Sequence, residues 1–130
     1  MTIDELIKQE EINFDELLMI EYISYENKID LCYGIVEGTY FVNKKFHSNS
    51  PLREVLFIMN LINMYTSIDI DFDNLYGEYD KLVASGLIEP VFEVIPKIEV
   101  DRMRDILEMV TADLFENTRS LAEVARRYAK

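Results

Sequence analysis

The densest run of potential ligands in this chain is Asp69-Ile70-Asp71-Phe72-Asp73. Alternating carboxylates just ahead of a helix could form a calcium loop, because a hard divalent cation collects about six to eight oxygens. Counted from Asp69, Asp80 even falls at the twelfth place, where an EF-hand-like loop needs its last carboxylate. The remaining pattern is absent. Asn74 stands at the sixth place instead of glycine, Asp80 is shorter than the bidentate glutamate, and the preceding helix lacks the motif's spacing. The plainer chemistry is that Asp71 or Asp73 caps the following helix while the other carboxylates complement its dipole. Spacing alone leaves open whether Asp69, Asp71 and Asp73 hold a cation.

The other reactive types are scarce. One histidine, His47, lies in a polar loop between Phe46 and Ser48-Asn49, and reads as exposed and inert. A catalytic histidine needs a nucleophile or an orienting carboxylate beside it. The single cysteine, Cys32, falls on an apolar helical stripe and reads as a buried structural thiol, since a reactive one needs an electropositive setting. Neither has a partner at zinc-ligand spacing. Carboxylate pairs such as Glu10-Glu11 and Asp15-Glu16 are too frequent for any one to mark an acid/base couple. The four glycines are scattered and build no phosphate loop. No catalytic residue, metal ligand or cofactor is assigned, and the expectation is a protein that is not an enzyme.

The elements that carry these residues are set by 130 residues with 49% apolar side chains, enough for one domain with a real core. One cysteine permits no internal disulfide, which suits a reducing compartment. The acidic N-terminus lacks the basic start of a signal peptide, and no apolar run has the length of a membrane span. A formal charge of −12 disfavours nucleic acid and anionic lipid as direct partners. The charge is uneven. Nine acids stand against Lys8 and Lys28 in residues 1–30, whereas Arg119, Arg126, Arg127 and Lys130 make the C-terminal end basic. Those basic residues suit the negative end of a terminal helix.

Periodicity predicts a mainly helical fold. Thr2 caps a first turn over Asp4 and Glu5. Residues 17–23 read as a short strand by length and flanks, a helix being the alternative. Ser24 then starts a helix with Ile29, Cys32, Ile35 and Val36 in register and Gly38 as its stop. Residues 39–46 are β-branched and aromatic and read as extended. Ser50 caps and Pro51 opens the next helix, residues 51–66, which is apolar nearly all round and therefore central and buried. A helix follows Asp73 with Leu75, Tyr79, Leu82 and Val83 inward, ended by Ser85-Gly86. Pro90 and Pro96 bracket an apolar connector. A long helix carries Val100, Met103, Ile106, Leu107, Val110 and Leu114, and a break at residues 117–120 precedes a last helix with a Ser120/Glu123 capping box and Leu121, Val124, Ala125 and Tyr128 inward. The expected architecture is a compact helical domain over residues 1–130 around helix 51–66, with a minor extended segment in the N-terminal third. Residues 1–15 form a peripheral or partner-binding segment in this reading.

Five stretches, Ile20-Glu-Tyr-Ile-Ser-Tyr-Glu-Asn-Lys28, Met64-Tyr-Thr-Ser-Ile-Asp69, Glu78-Tyr-Asp-Lys-Leu82, Ser85-Gly-Leu-Ile88 and Glu93-Val-Ile-Pro96, occur in that order. In them the chain resembles small, mostly uncharacterised proteins of tailed phages and prophages of Gram-positive bacteria. The likeness spans roughly residues 17–125 and rests on structural residues, so it implies a context and no catalytic residues. That context is a virion component or assembly factor made in the bacterial host's cytoplasm, meeting other virion proteins or further copies of itself. The contact is expected at Leu17, Met19, Glu21, Tyr22 and Tyr25, where the extended segment would pair with a partner's sheet edge. Removing residues 1–23 should then abolish the contact and leave the domain folded. The alternative is an acidic inhibitor that imitates a phosphate backbone toward a host nucleic-acid-binding protein.

Overall fold

The computed structural model describes residues 1–42, 45–46 and 49–128, with side chains placed for residues 1–39 and 49–114. His47, Ser48 and Lys130 lie outside the described residues. The described chain is mainly helical. It runs α1 (Ile3–Ile7), a 3-10 turn (Phe14–Leu17), α2 (Tyr25–Tyr40), β1 (Phe41–Val42), β2 (Lys45–Phe46), α3 (Ser50–Tyr65), a second 3-10 turn (Phe72–Asn74), α4 (Leu75–Ala84), α5 (Ile88–Glu93) and α6 (Lys97–Tyr128). The strands pair antiparallel, Phe41 opposite Phe46 and Val42 opposite Lys45, as a two-residue hairpin and not as a sheet layer.

Two apolar clusters make the core. Cys32, Ile35 and Val36 of α2 meet Phe57, Leu61 and Tyr65 of α3 and Met103, Ile106 and Val110 of α6. Ile3 and Leu6 of α1 meet Met59 and Ile62 of α3, Leu82 of α4 and Val91 of α5. Helix α3 serves both because Phe57, Leu61 and Tyr65 recur every four residues, whereas Met59 lies about 200° around the helix from Phe57. That two-sided burial explains a helix with few polar positions. Each such side chain contributes about 1.5–3 kcal/mol by leaving water.

Local signals explain several helix ends. Thr2 Oγ1 accepts from Glu5 N at 3.1 Å. Gly86 closes α4 with φ 74°. Its N–H donates to Val83 O at 3.0 Å and Leu87 N donates to Leu82 O at 2.9 Å, the paired bonds of a Schellman stop.

Elsewhere the structure departs from the sequence reading. Residues 17–23 are not a strand. Leu17 ends a 3-10 turn, and the segment beyond it forms one isolated bridge, Leu18 to Thr66, without extending it into a ladder. Gly38 does not stop α2, which continues to Tyr40 with Thr39 buried and its hydroxyl donating back to Ile35 O and Val36 O. The cap of α3 is Asn49, whose Oδ1 accepts from Leu52 N at 3.0 Å, so Ser50 is already helical. The stretch between the prolines is helix α5, with Pro90 in its first turn, where a missing N–H costs nothing. Backbone helix runs through residues 117–120 without a break. Val83 is 47% exposed while Glu78 is buried. Within residues 1–23, Ile3 and Leu6 are wholly buried and Leu17 and Ile23 nearly so. Removing residues 1–23 would therefore open the core, and point substitutions are the usable probe.

Candidate functional site

The first turns of α2 and α6 face one another. Ser24 starts α2: its Oγ accepts from Asn27 N at 3.3 Å and its carbonyl from Lys28 N at 2.9 Å. Pro96 starts α6, its carbonyl accepting from Glu99 N at 3.0 Å and Val100 N at 3.2 Å. Lys28 and Glu99 are thereby brought together, each 1% exposed. Lys28 Nζ donates to Glu99 Oε2 at 2.8 Å. Glu99 Oε1 accepts from Ile23 N at 2.9 Å and from the Tyr65 hydroxyl at 3.0 Å. The ring of Tyr22 covers the ammonium, 4.5 Å from ring centre to nitrogen. Glu99 sits where a helix dipole favours a carboxylate, whereas Lys28 sits where the dipole disfavours a cation. The position of Lys28 therefore depends on Glu99.

Burial by itself would raise the Glu99 pKa, but the Lys28 ammonium, the Ile23 N–H and the Tyr65 hydroxyl outweigh it and hold the carboxyl below its usual value. Burial, followed by the bond to Glu99, pushes the Tyr65 hydroxyl well above the usual phenol range. At neutral pH Glu99 is a carboxylate and Tyr65 a phenol. Both are driven away from the range in which a side chain exchanges protons efficiently near pH 7. The cluster ties residues 18–24, α2, α3 and α6 at one point.

Residues 18–24 form a strap across the molecule. Met19 N and Ile20 N donate to Tyr65 O at 2.8 and 3.3 Å, and Ser67 N donates to Leu17 O at 2.8 Å. With Ile23 N bound to Glu99, these donors face inward and do not present a sheet edge. Of the five residues expected to meet a partner, Leu17 is a core residue at 4% exposure. Glu21 is exposed, and Met19, Tyr22 and Tyr25 are each at least 60% exposed. The surface is thus one of side chains and not of backbone. Tyr22 and Tyr25 form one wall of a groove of about 300 Å3; Arg102, Asp105, Ile106 and Met109 of α6 form the other, with Lys28 at its floor. A larger groove of about 510 Å3 lies between α3 and α6 beside Arg104. There Arg104 is already held by both oxygens of Glu54 at 3.1 Å and stacks 4.4 Å from the Phe57 ring.

The aspartate run is a capping and tethering segment. Asp71 Oδ1 accepts from Asp73 N at 3.1 Å, and Asp69 N donates to Met1 O at 2.7 Å beside a parallel bridge to Thr2. Helix α4 has begun by Leu75, so residues 69–80 do not form a twelve-residue ion loop. Among the described residues no three His, Cys, Asp or Glu side chains are grouped as a metal ion would need. Cys32 is buried, and its Sγ lies 3.6 Å from Met103 O.

Lys28, Tyr65 and Glu99 were not singled out by the sequence reading. A signal was present: Lys28 precedes Cys32, and Glu99 precedes Met103, by one helical repeat of four, so each charge extends an apolar stripe. Opposite charges on two buried stripes suggest a pair, but only folding tells which stripes meet. Among the described residues no helix is long and apolar enough to cross a membrane. Comparison with protein-family models, curated proteins and solved structures finds no match to this chain.

Proposed function

We propose that this protein acts by protein–protein contact, through the strap at residues 18–24, the start of α2 at Tyr25 and the adjoining face of α6. The carrying observation is the exposure of Met19, Tyr22, Tyr25 and Met109, each more than half accessible, on a segment held from beneath by a buried ion pair. Apolar and aromatic side chains on a rigid support bind at low entropic cost. Tyrosine and methionine suit such a surface because each offers large area with a polar or polarisable atom. The directions in which Glu99 and Tyr65 are shifted favour a structural role for the buried Lys28–Glu99–Tyr65 cluster. The likeness to proteins of tailed phages supplies the setting: a small virion component or assembly factor in an infected bacterium.

The test is a Tyr22→Ser/Tyr25→Ser double variant, expressed during particle assembly and followed by mass spectrometry of purified particles. Loss of incorporation or of co-purification with virion proteins, with helical circular dichroism retained, is the expected result. Normal incorporation of the variant refutes the reading.

One observation favours a second reading, the acidic inhibitor. All nine carboxylates of residues 1–30 are exposed. This reading expects a basic host nuclease or polymerase to be retained on the immobilised protein, released by salt and displaced by added DNA. Retention that DNA does not compete rejects it.

A further inference from the structure

The groove between the strap and α6 has a chemistry of its own, and it selects among partners. Its two tyrosines are exposed, Tyr22 61% and Tyr25 60%, with one face of the Tyr22 ring set over Lys28. The nearest cation, Lys28, is already neutralised by Glu99 at 2.8 Å and lies under the Tyr22 ring, so it adds little positive field at the mouth. On α6 the groove-facing residues Arg102, Asp105, Ile106 and Met109 continue one turn further to exposed Asp113, which lies about 20° from Arg102 around the helix. Exposed Glu21 and Glu26 adjoin the two tyrosines in sequence. Of these carboxylates Asp105 lines the groove and Asp113 lies one turn beyond it on the same face of α6, facing the single guanidinium Arg102 on a chain of formal charge −12. Aromatic faces bordered by carboxylates favour a planar cation, which can stack on a ring and donate hydrogen bonds sideways at the same time.

We infer that the groove binds an arginine-bearing basic segment of the partner protein, the guanidinium stacking on Tyr22 or Tyr25 and pairing with a neighbouring carboxylate, while Ile106 and Met109 take the apolar part of that segment. The inference rests on the protein-contact reading above and specifies the partner's chemistry. The charge pattern also explains why a strongly acidic protein would expose tyrosines at this place: the carboxylates steer a basic partner in, and the rings discriminate arginine from lysine. Glu10 and Glu11 are equally exposed but have no aromatic neighbours in sequence, so they attract charge without that discrimination.

The probes are hexa-arginine, hexa-lysine and hexa-citrulline peptides with blocked ends, titrated into the intact protein and followed by amide and methionine-methyl NMR shifts. Citrulline keeps the shape of arginine and removes its charge. Expected are the order arginine, lysine, citrulline in affinity and shifts centred on Tyr22, Tyr25 and Met109. A loss of about tenfold in arginine-peptide affinity is expected for Tyr22→Leu/Tyr25→Leu. Tyr25→Leu alone, which leaves the ring over Lys28 in place, should weaken binding in the same direction, and Glu10→Gln/Glu11→Gln should leave it unchanged. Equal binding of hexa-citrulline overturns the inference, as does hexa-arginine binding whose shifts map to residues 4–16 and spare the tyrosines. The two levels separate cleanly. Lost particle incorporation in the tyrosine variant with no arginine preference leaves the contact reading standing and sinks the arginine-specific one. Normal incorporation together with arginine-selective binding at the groove sinks the contact reading alone.

Discussion

Removing the charge from either Lys28 or Glu99 should destabilise the protein far more than removing it from both. In Lys28→Met the Glu99 carboxylate keeps the Ile23 N–H at 2.9 Å and the Tyr65 hydroxyl at 3.0 Å but loses its ion-pair partner in a site 1% exposed. In Glu99→Gln the amide oxygen can still accept from Ile23 and Tyr65, and it is Lys28 that is left buried without a counterion. An uncompensated buried charge of this kind costs about 3–5 kcal/mol. For a chain of this length about 1 kcal/mol moves the melting temperature by about 4 °C, so each single variant should melt about 12–20 °C lower. The double variant Lys28→Met/Glu99→Gln carries no buried charge and keeps the oxygen acceptor. Its loss should be about 1–2 kcal/mol, the cost of an unpaired amide N–H in the same place. The coupling between the two substitutions should therefore exceed about 2 kcal/mol, measured by urea denaturation of all four proteins at neutral pH. Single variants that each lose less than about 1 kcal/mol, or a double variant that loses the sum of the singles, would refute a dry, mutually dependent pair. The acid limb gives a second readout. The folded-state pKa of Glu99 lies below its ordinary value of 4.5. Its stabilisation is present above 4.5 and is lost as pH falls through the lower folded value. The stability of the unmodified protein should therefore fall more steeply in that window than that of the double variant.

Three further outcomes follow from local geometry. Burial pushes the Cys32 thiol up from 9.0 to about 12, so at about pH 8 it should react with a disulfide reagent only as fast as the protein opens; immediate stoichiometric labelling of folded protein would contradict this. The same shift contributes stability in full below 9.0 and loses it as pH rises toward the folded value. Gly86→Ala should cost about 1–2 kcal/mol, because φ is 74° while a Cβ there would meet nothing within 4 Å; a smaller loss in denaturant midpoint would mean that the turn relaxes. Asn49→Ala should cost about 1 kcal/mol by removing the cap on Leu52 N, and Ser50→Ala clearly less, a contrast that thermal melts of the two variants decide.

Much of the helical framework was legible without coordinates. The apolar repeats at Ile29 to Val36, at Leu52 to Met64 and at Val100 to Leu114 mark helices whatever surrounds them, because a period near 3.6 is a property of one element. The Thr2 and Ser24 starts and the Ser85-Gly86 stop were readable for the same reason. The failures occurred where local signals competed. Gly38 and Ser50 are plausible punctuation, but packing carries α2 to Tyr40 and a neighbouring Asn49 supplies the cap. Residues 17–23 look like a strand by length and flanks; among the described residues no second strand lies beside them, and their backbone groups bond instead to Tyr65, Ser67 and Glu99.

Composition and periodicity by themselves determined an acidic, mainly helical protein with a buried thiol, and the extended reading of residues 17–23 offered Leu17, Met19, Glu21, Tyr22 and Tyr25 as candidate contact residues. Tertiary structure decided that Leu17 belongs to the core while the other four face outward, that α6 supplies the wall opposite Tyr22 and Tyr25, and that Lys28, Tyr65 and Glu99 meet beneath it. The physical reason is range. Helical periodicity acts over four residues and is written in each segment, whereas the bond between Lys28 and Glu99 spans 71 positions and exists only when two helix starts are packed face to face.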